Sequence, residues 1–175
     1  MLKLIGTLLN LPVISLRTGS KIALAHTPII NPYNLKIVGW WCRQPDGKQT
    51  ILLAEQIREA MANGLAVNDE EALSDPTDLV RHKEILDINF NLMDKPVKTK
   101  RHKIGKVSDF SYNDGLFVQK LYVTKPMHKV FSSVDTVIID RQQIEEVTNQ
   151  YILIKDTDLK ADAKEMAPAG AVVGT

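Results

Sequence analysis

The stretch LKIVGWWC at residues 35–42 decides the predicted fold, because LFVQKLYV at residues 116–123 repeats its order of apolar positions. Both stretches are rich in β-branched and aromatic residues, as strands are. The flanking blocks agree as well: Pro12-Val13 precedes the first stretch and Pro96-Val97 the second. Further matches follow the stretches, each residue standing 87 positions after its counterpart: Leu52 with Ile139, Ile57 with Ile144, Val67 with Ile154 and Asp69 with Asp156. The sequence therefore predicts two copies of one β-rich module.

The segment between the two copies contains a residue pattern that predicts the beginning of a helix. Asp75 can cap a helix whose first position is Pro76, and Asp78 adds a negative charge to the first turn. Leu79, Ile85 and Leu86 would then form a narrow apolar stripe on a helix that ends near residue 87. The predicted organisation is a divergent first module at 1–72, a helical linker at 73–87, a second module at 88–158 and a flexible tail at 159–175.

Two local signals complete the prediction for the second copy. The Asp114-Gly115 pair between two apolar runs predicts a hairpin, since glycine accepts the positive φ of such a turn. Asp140 with Gln143 three residues later resembles a capping box, which predicts one or two helical turns through Val147.

The second copy resembles the PRC-barrel family, named for the photosynthetic reaction centre H subunit. The resemblance rests on Lys95-Pro96-Val97, the segment IGKVSDF at 104–110, the strand entry GLFV at 115–118 and the closure from Ile138 to Ile144. It covers about residues 10–69 and 86–156, although the first copy has a longer segment at 26–34. The resemblance implies a mainly β fold of two small PRC-barrel-like β-barrels joined by a short α-helix. It also implies a docking role: one branch of the family is similar to a maturation factor of the small ribosomal subunit that binds a ribosomal protein, and another lies on the cytoplasmic face of a membrane complex.

Residue patterns typical of catalysis are missing from the sequence. Cys42 is the only cysteine, which excludes an intrachain disulfide and a zinc site built from several thiolates. The four histidines do not form a helical metal motif, and nucleophile-elbow, phosphate-loop and dinucleotide glycine patterns are absent. We therefore predict no catalytic residue, no metal and no cofactor.

The lone cysteine also fits a reducing compartment. Asn10 and Pro12 interrupt the apolar N-terminal run before it reaches the length of a membrane span, and no signal-peptide cleavage pattern follows it. The net charge of +1 does not favour nucleic acid or an anionic surface over other partners. We expect a cytoplasmic protein without an integral membrane segment.

Trp40 and Trp41 are the first candidate partner-binding residues. Adjacent strand residues point to opposite faces, so one tryptophan should enter the barrel and the other should not. The outward one could pack on the sister module, anchor a protein partner or have no role. Tyr122 belongs to the equivalent pair, Leu121-Tyr122, and is the third candidate.

A basic run at 95–106 is the second candidate surface, with six cations and no acid. Strand alternation would place Lys98 and Lys100 on one face, with Arg101 and Lys103 reaching from the following turn. Such a patch could bind RNA phosphates or anionic lipid headgroups. It could equally be a solvated edge whose lysines oppose aggregation.

Two functions of different classes follow. The leading hypothesis is a non-catalytic adaptor that docks onto a protein partner, in ribosome assembly or at a membrane complex, and oligomers are possible. The alternative is RNA or anionic-surface binding through the basic run.

Overall fold

The computed structural model describes residues 1–61, 63–125 and 136–156, and this part of the chain is mainly β with a curled, barrel-like sheet. The single α-helix of these residues, α1, is Lys83–Ile88. The strands of the first half and of the N-terminus are β1 (Lys3–Leu4), β2 (Leu11–Ser15), β3 (Lys21–Asn31), β4 (Lys36–Arg43), β5 (Gln49–Leu53), β6 (Ile57–Met61), β7 (Gly64–Val67) and β8 (Leu73–Ser74). Those of the second half are β9 (Pro96–Lys98), β10 (Lys103–Tyr112), β11 (Val118–Thr124), β12 (Thr136–Asp140), β13 (Ile144–Val147) and β14 (Ile152–Ile154).

The two sheets share one strand order. The first runs β6-β7-β2-β3-β4-β5-β8 and the second β13-β14-β9-β10-β11-β12. Each contains one parallel pair, β2 with β7 and β9 with β14, while the other pairs are antiparallel. The matched sequence blocks thus occupy matched strands. In strands such as β2 and β12, alternate residues enter the core because side chains alternate across a sheet.

The N-terminal segment does not stay with the first sheet. Strand β1 pairs with β10, placing Lys3 opposite Tyr112 and Leu4 opposite Ser111. Ile5 is buried, and the Thr7 hydroxyl lies 3.2 Å from that of Tyr112. These first residues fall inside the range 1–72 predicted for the first module, but their strand belongs to the second sheet.

Reciprocal hydrogen bonds join the tips of the β3–β4 and β10–β11 hairpins. The Ile37 N–H donates to the Leu116 carbonyl (2.8 Å), and the Val118 N–H donates to the Leu35 carbonyl (3.0 Å). Since Leu35 and Ile37 are the sequence counterparts of Leu116 and Val118, each tip offers the same groups to the other. Buried side chains of both sheets form one continuous hydrophobic cluster behind this contact.

The predicted helix over 75–87 is wrong in its extent. Asp75 does accept a hydrogen bond from the Thr77 N–H (3.0 Å), but the 3₁₀ turn that it caps ends at Asp78. Leu79 leaves the helical region, with φ −86° and ψ 57°, and a second 3₁₀ turn, Val80–His82, precedes α1. The non-helical backbone of Leu79 breaks the predicted helix, although Leu79, Ile85 and Leu86 all still pack on the first sheet.

Two local predictions for the second copy also need correction. The capping box of Asp140 and Gln143 is present, but it caps one 3₁₀ turn, Arg141–Gln143. Helical turns through Val147 do not form because residues 144–147 pair with β14. At the β10–β11 turn the residue with positive φ is Leu116 (63°), not Gly115. The equivalent residue of the β3–β4 turn, Leu35, also has a positive φ (54°).

Candidate protein-docking face

Trp40 is a core residue. It lies in β4 opposite Leu52 and is 1% exposed. Its Nε1 atom is buried and has no hydrogen-bond partner among the described residues, so the indole contributes packing and no polar recognition. One tryptophan of the pair therefore enters the core, as strand alternation predicts, and this one is not accessible to a partner.

Trp41 lies on the opposite face of β4, opposite Ile51 of β5. The residues that we call the Trp41 face are Trp41, Val38, Ile29, Ile51 and Leu53. Leu79, Ile85 and Leu86 of the linker segment, residues 75–88, pack over them. The three residues of the predicted stripe therefore pack on one face, although they do not lie on one continuous helix. The observed role of Trp41 is none of the three that were considered for the outward tryptophan. Its side chain packs beneath the linker segment.

Polar contacts hold the linker segment in place. The Tyr33 hydroxyl donates to Glu84 of α1 (2.9 Å), and this acceptor carboxylate raises the pKa of Tyr33. Lys48 lies 3.5 Å from Asp75, whose pKa is lowered by the Thr77 hydroxyl and N–H and, to a smaller degree, by Lys48. These groups are exposed, except for the half-buried Asp75, so apolar contact accounts for most of the stability of the linker on the sheet.

Tyr122 occupies the position of Trp41 in the second sheet. It lies opposite Ile138, as Trp41 lies opposite Ile51. The flanking Leu121 and Val123 are fully buried, so Tyr122 points away from the core. Tyr122 and Ile138 are both partly exposed, and we call them, with Lys120 and Thr124 beside them on β11, the Tyr122 face.

The two equivalent faces differ in what covers them. Ile51 is completely buried under the linker segment, whereas its counterpart Ile138 is partly exposed. Within residues 1–61, 63–125 and 136–156, neither Tyr122 nor Ile138 belongs to a hydrophobic cluster. Of the three aromatic candidates, Tyr122 is the one that is partly exposed and, within the described ranges, lies outside both hydrophobic clusters.

The cations of the basic run lie in a tight hairpin, but several already have partners. The Lys98 Nζ lies 3.5 Å from the centre of the Tyr151 ring, Lys100 lies 3.7 Å from Glu145, and Arg101 lies 3.3 Å from Asp156. Lys103 is exposed and pairs in register with Lys98. Lys100 is in the turn and not on the strand with Lys98, because Thr99 closes the turn by bonding His102.

The ion pair of Arg101 has an equivalent in the first half. Arg17 lies 3.6 Å from Asp69, and both residues are the sequence counterparts of Arg101 and Asp156. A pair that recurs in both halves indicates a shared structural contact at the end of the last strand. Exposed pairs of this kind add little stability, typically about 0–1 kcal/mol.

Lys95 is a buried residue that the sequence assigned only to the basic run. It is 8% exposed, its Nζ donates to the Asn149 carbonyl (2.7 Å), and the ammonium lies 4.5 Å from the centre of the Phe90 ring. Burial lowers its pKa. The burial of Lys95 could have been predicted from its counterpart in the first copy, Leu11, because an apolar residue at that position indicates an inward side chain.

Cys42 should resist thiol reagents in the folded protein. The side chain is completely buried, its Sγ donates to the Trp40 carbonyl (3.6 Å), and burial raises the pKa of the thiol to about 12. Because the thiolate is the reactive form, a disulfide-exchange reagent at pH 8 should label Cys42 only as fast as the protein unfolds. Rapid stoichiometric labelling without denaturant would contradict this placement; labelling in denaturant is the control.

In the described part of the chain, no three His, Cys, Asp or Glu side chains are grouped so that they could hold a metal ion. No helix among these residues is long and apolar enough to cross a membrane. The predicted tail at 159–175, together with His128, lies outside the described residues. Compared with known proteins, the chain matches no family model and no curated protein.

Proposed function

We propose that the protein is a non-catalytic cytoplasmic adaptor, formed by two PRC-barrel-like modules joined by the linker segment, that docks onto a protein partner. Ribosome assembly or a membrane complex is the setting that the family resemblance implies. The observation that supports docking is the Tyr122 face, which keeps an aromatic–aliphatic pair at the position where the first sheet is covered.

The chemistry of the Tyr122 face suits a protein partner. A tyrosine buries a large apolar area with little loss of rotamer entropy, and its hydroxyl keeps a polar contact available. Lys120 and Thr124 place polar groups beside the apolar pair. An apolar centre with a polar rim is the usual anatomy of a protein interface.

The second candidate function is RNA or anionic-surface binding through the basic run. The observation in its favour is the register pair of Lys98 and Lys103, because like charges directly opposite in a sheet are unfavourable without a counter-charge. The contacts of Lys98, Lys100 and Arg101 within the protein weaken this function. We rank it below protein docking.

One experiment separates these functions. The tagged 175-residue chain, its Tyr122→Thr variant and a Lys98/Lys100/Arg101/Lys103→Gln variant are used to capture proteins and RNA from native lysate. We expect Tyr122→Thr to lose the partner protein while the glutamine variant retains it. Tyr33→Thr is the matched control: it removes a 71% exposed tyrosine whose hydroxyl bonds to Glu84 of the linker segment, and it leaves Tyr122 in place.

The opposite pattern would favour the second function. Captured RNA that is lost in the glutamine variant, and that falls steeply with salt, would identify phosphate contacts because each contact releases condensed counterions. A partner retained equally by all variants would contradict the assignment of the Tyr122 face.

A further inference from the structure

The apolar contacts beneath the linker segment are separate from the core. The core cluster joins buried residues of both sheets. A second cluster joins Leu79, Ile85 and Leu86 of the linker segment to the Trp41 face, and within the described ranges the two clusters share no residue. Small clusters of this kind occur beneath long connecting segments. Losing the contacts of the second cluster would therefore leave the core in place.

Strand and core contacts fix the chain on both sides of the linker segment. Before it, β8 pairs with β5, which places Ser74 opposite Ile51. At its end, Ile88 packs against the core cluster, and Phe90 beyond it is buried in that cluster. Residues 75–87 thus span two fixed points, so their release from the Trp41 face requires no change in the strands.

Between these points the backbone of the segment makes local hydrogen bonds. The His82 N–H donates to the Leu79 carbonyl (3.0 Å) and the Asn89 N–H to the Leu86 carbonyl (3.1 Å). In the described part of the chain, no backbone hydrogen bond joins residues 75–87 to a strand. The helix α1 has six residues, too few for a helix that is stable alone. Side chains therefore hold the segment on the sheet.

Tyr33 makes a polar contact that can hold the segment closed. Its hydroxyl donates to Glu84 (2.9 Å) from the β3–β4 turn, and this turn is itself fixed. The Asn31 side chain accepts from the Tyr33 N–H (2.9 Å), and Arg141 of the second half donates to the Asn34 carbonyl (2.7 Å). Tyr33 therefore keeps its place when Glu84 moves with the segment.

We propose that residues 75–87 form a strap that opens as a unit while both sheets remain folded, with the Tyr33–Glu84 hydrogen bond as its latch. Opening exposes the Trp41 face. Segments with few buried apolar contacts open at a lower free energy than core strands do. The opening depends on contacts between the strap and the first sheet, so it stands or fails independently of docking through the Tyr122 face.

Thiol labelling measures the opening in the 175-residue chain. Ile51→Cys places a thiol on the Trp41 face, where Ile51 is completely buried under the strap, and the equally buried Cys42 of the core is the internal control. At pH 8 without denaturant, we expect position 51 to be labelled about tenfold faster than Cys42 or more, because Cys42 becomes reactive only when the protein unfolds. Mass analysis of peptides separates the two sites.

The latch is tested in the same chain by Tyr33→Phe, which removes only the hydroxyl. We expect labelling at position 51 to accelerate about two- to fivefold, the effect of losing one hydrogen bond of modest strength, while the labelling of Cys42 does not change. Tyr151→Phe is the matched control, since the Tyr151 hydroxyl also donates to a glutamate, Glu146 (3.5 Å), but in the second sheet. It should leave both rates unchanged.

Hydrogen exchange provides a second measurement that needs no introduced cysteine. We expect the Asn89 amide, bonded to Leu86 of the strap, to exchange about tenfold faster than the Ile37 and Val118 amides of the hairpin tips or more. Tyr33→Phe should accelerate the exchange of Asn89 alone.

Three results would overturn the proposal. Equal labelling of position 51 and Cys42, or equal exchange of the strap and tip amides, would mean that the strap opens only when the whole protein unfolds. Unchanged opening in Tyr33→Phe would refute the latch. Equal acceleration by Tyr151→Phe would refute it as well, because the effect would then not be specific to the strap.

Discussion

Replacing Trp40 with alanine should lower the free energy of unfolding by about 3–5 kcal/mol, the range for removal of a large aromatic residue from a core. The side chain is 1% exposed and belongs to the cluster shared by both sheets, so the neighbouring strands cannot collapse easily into the space that it leaves. Its Nε1 has no hydrogen-bond partner in the described part of the chain, so the change leaves no polar group unpaired there. Chemical denaturation followed by circular dichroism measures the loss.

Trp41→Ala is the matched control. The residue next to Trp40 is partly exposed and packs under the linker segment, which can adjust its position more readily than a core strand. We expect a smaller loss of stability than for Trp40. An equal or larger effect of Trp41→Ala would mean that the linker contact, and not the core, dominates the stability of the first sheet.

Arg141→Ala should lower the free energy of unfolding by about 1.5–3 kcal/mol, the usual contribution of hydrogen bonds to a charged group. Its guanidinium donates to the Val118 carbonyl of the second half (3.2 Å) and to the Asn34 carbonyl of the first half (2.7 Å). The Arg141 guanidinium carbon also lies 5.3 Å from the centre of the Phe117 ring, and the Lys36 ammonium lies 5.5 Å from the same ring centre. Arg141 thus stabilises the contact between the two hairpin tips by donating hydrogen bonds to both.

The substitution Arg141→Lys tests whether geometry or charge carries this contact. An ammonium keeps the charge but lacks the planar fork that bonds two carbonyls at once, so lysine should restore only a minor part of the loss. The unfolding of all three proteins should remain a single transition because the core spans both halves. Full recovery by lysine, or separate transitions for the two halves in the parent, would contradict this account.

Strand positions could be predicted from the sequence because they depend on local pattern. The alternation around Trp40 and Trp41, and the matched blocks spaced by 87 residues, are visible without any tertiary information. The same is true of the capping box at Asp140, whose geometry involves only neighbouring residues. These features lie where local preference and tertiary structure agree.

The failures occur where tertiary contact overrides local preference. Asp75 and Pro76 are a genuine helix start, but the turn ends after three residues, and Leu79, which packs on the first sheet, has a non-helical backbone. Residues 144–147 form a strand because β14 provides pairing partners that the capping box cannot reveal. Tertiary contact also changes the candidate site. Trp40 and Trp41 lie on opposite faces of the strand, as predicted, but the outward Trp41 is covered by the linker segment.

The reciprocal bonds between the hairpin tips have a consequence for binding stoichiometry. Contacts in which each partner offers the same groups to the other are isologous, the type found between the subunits of a twofold dimer. In such a dimer every surface away from the twofold axis occurs twice, so two equivalent docking sites result. Here the two halves belong to one chain and have diverged: the linker segment packs on the Trp41 face, and the described residues include no such cover on the Tyr122 face. For the proposed docking through the Tyr122 face, this divergence predicts one partner per chain.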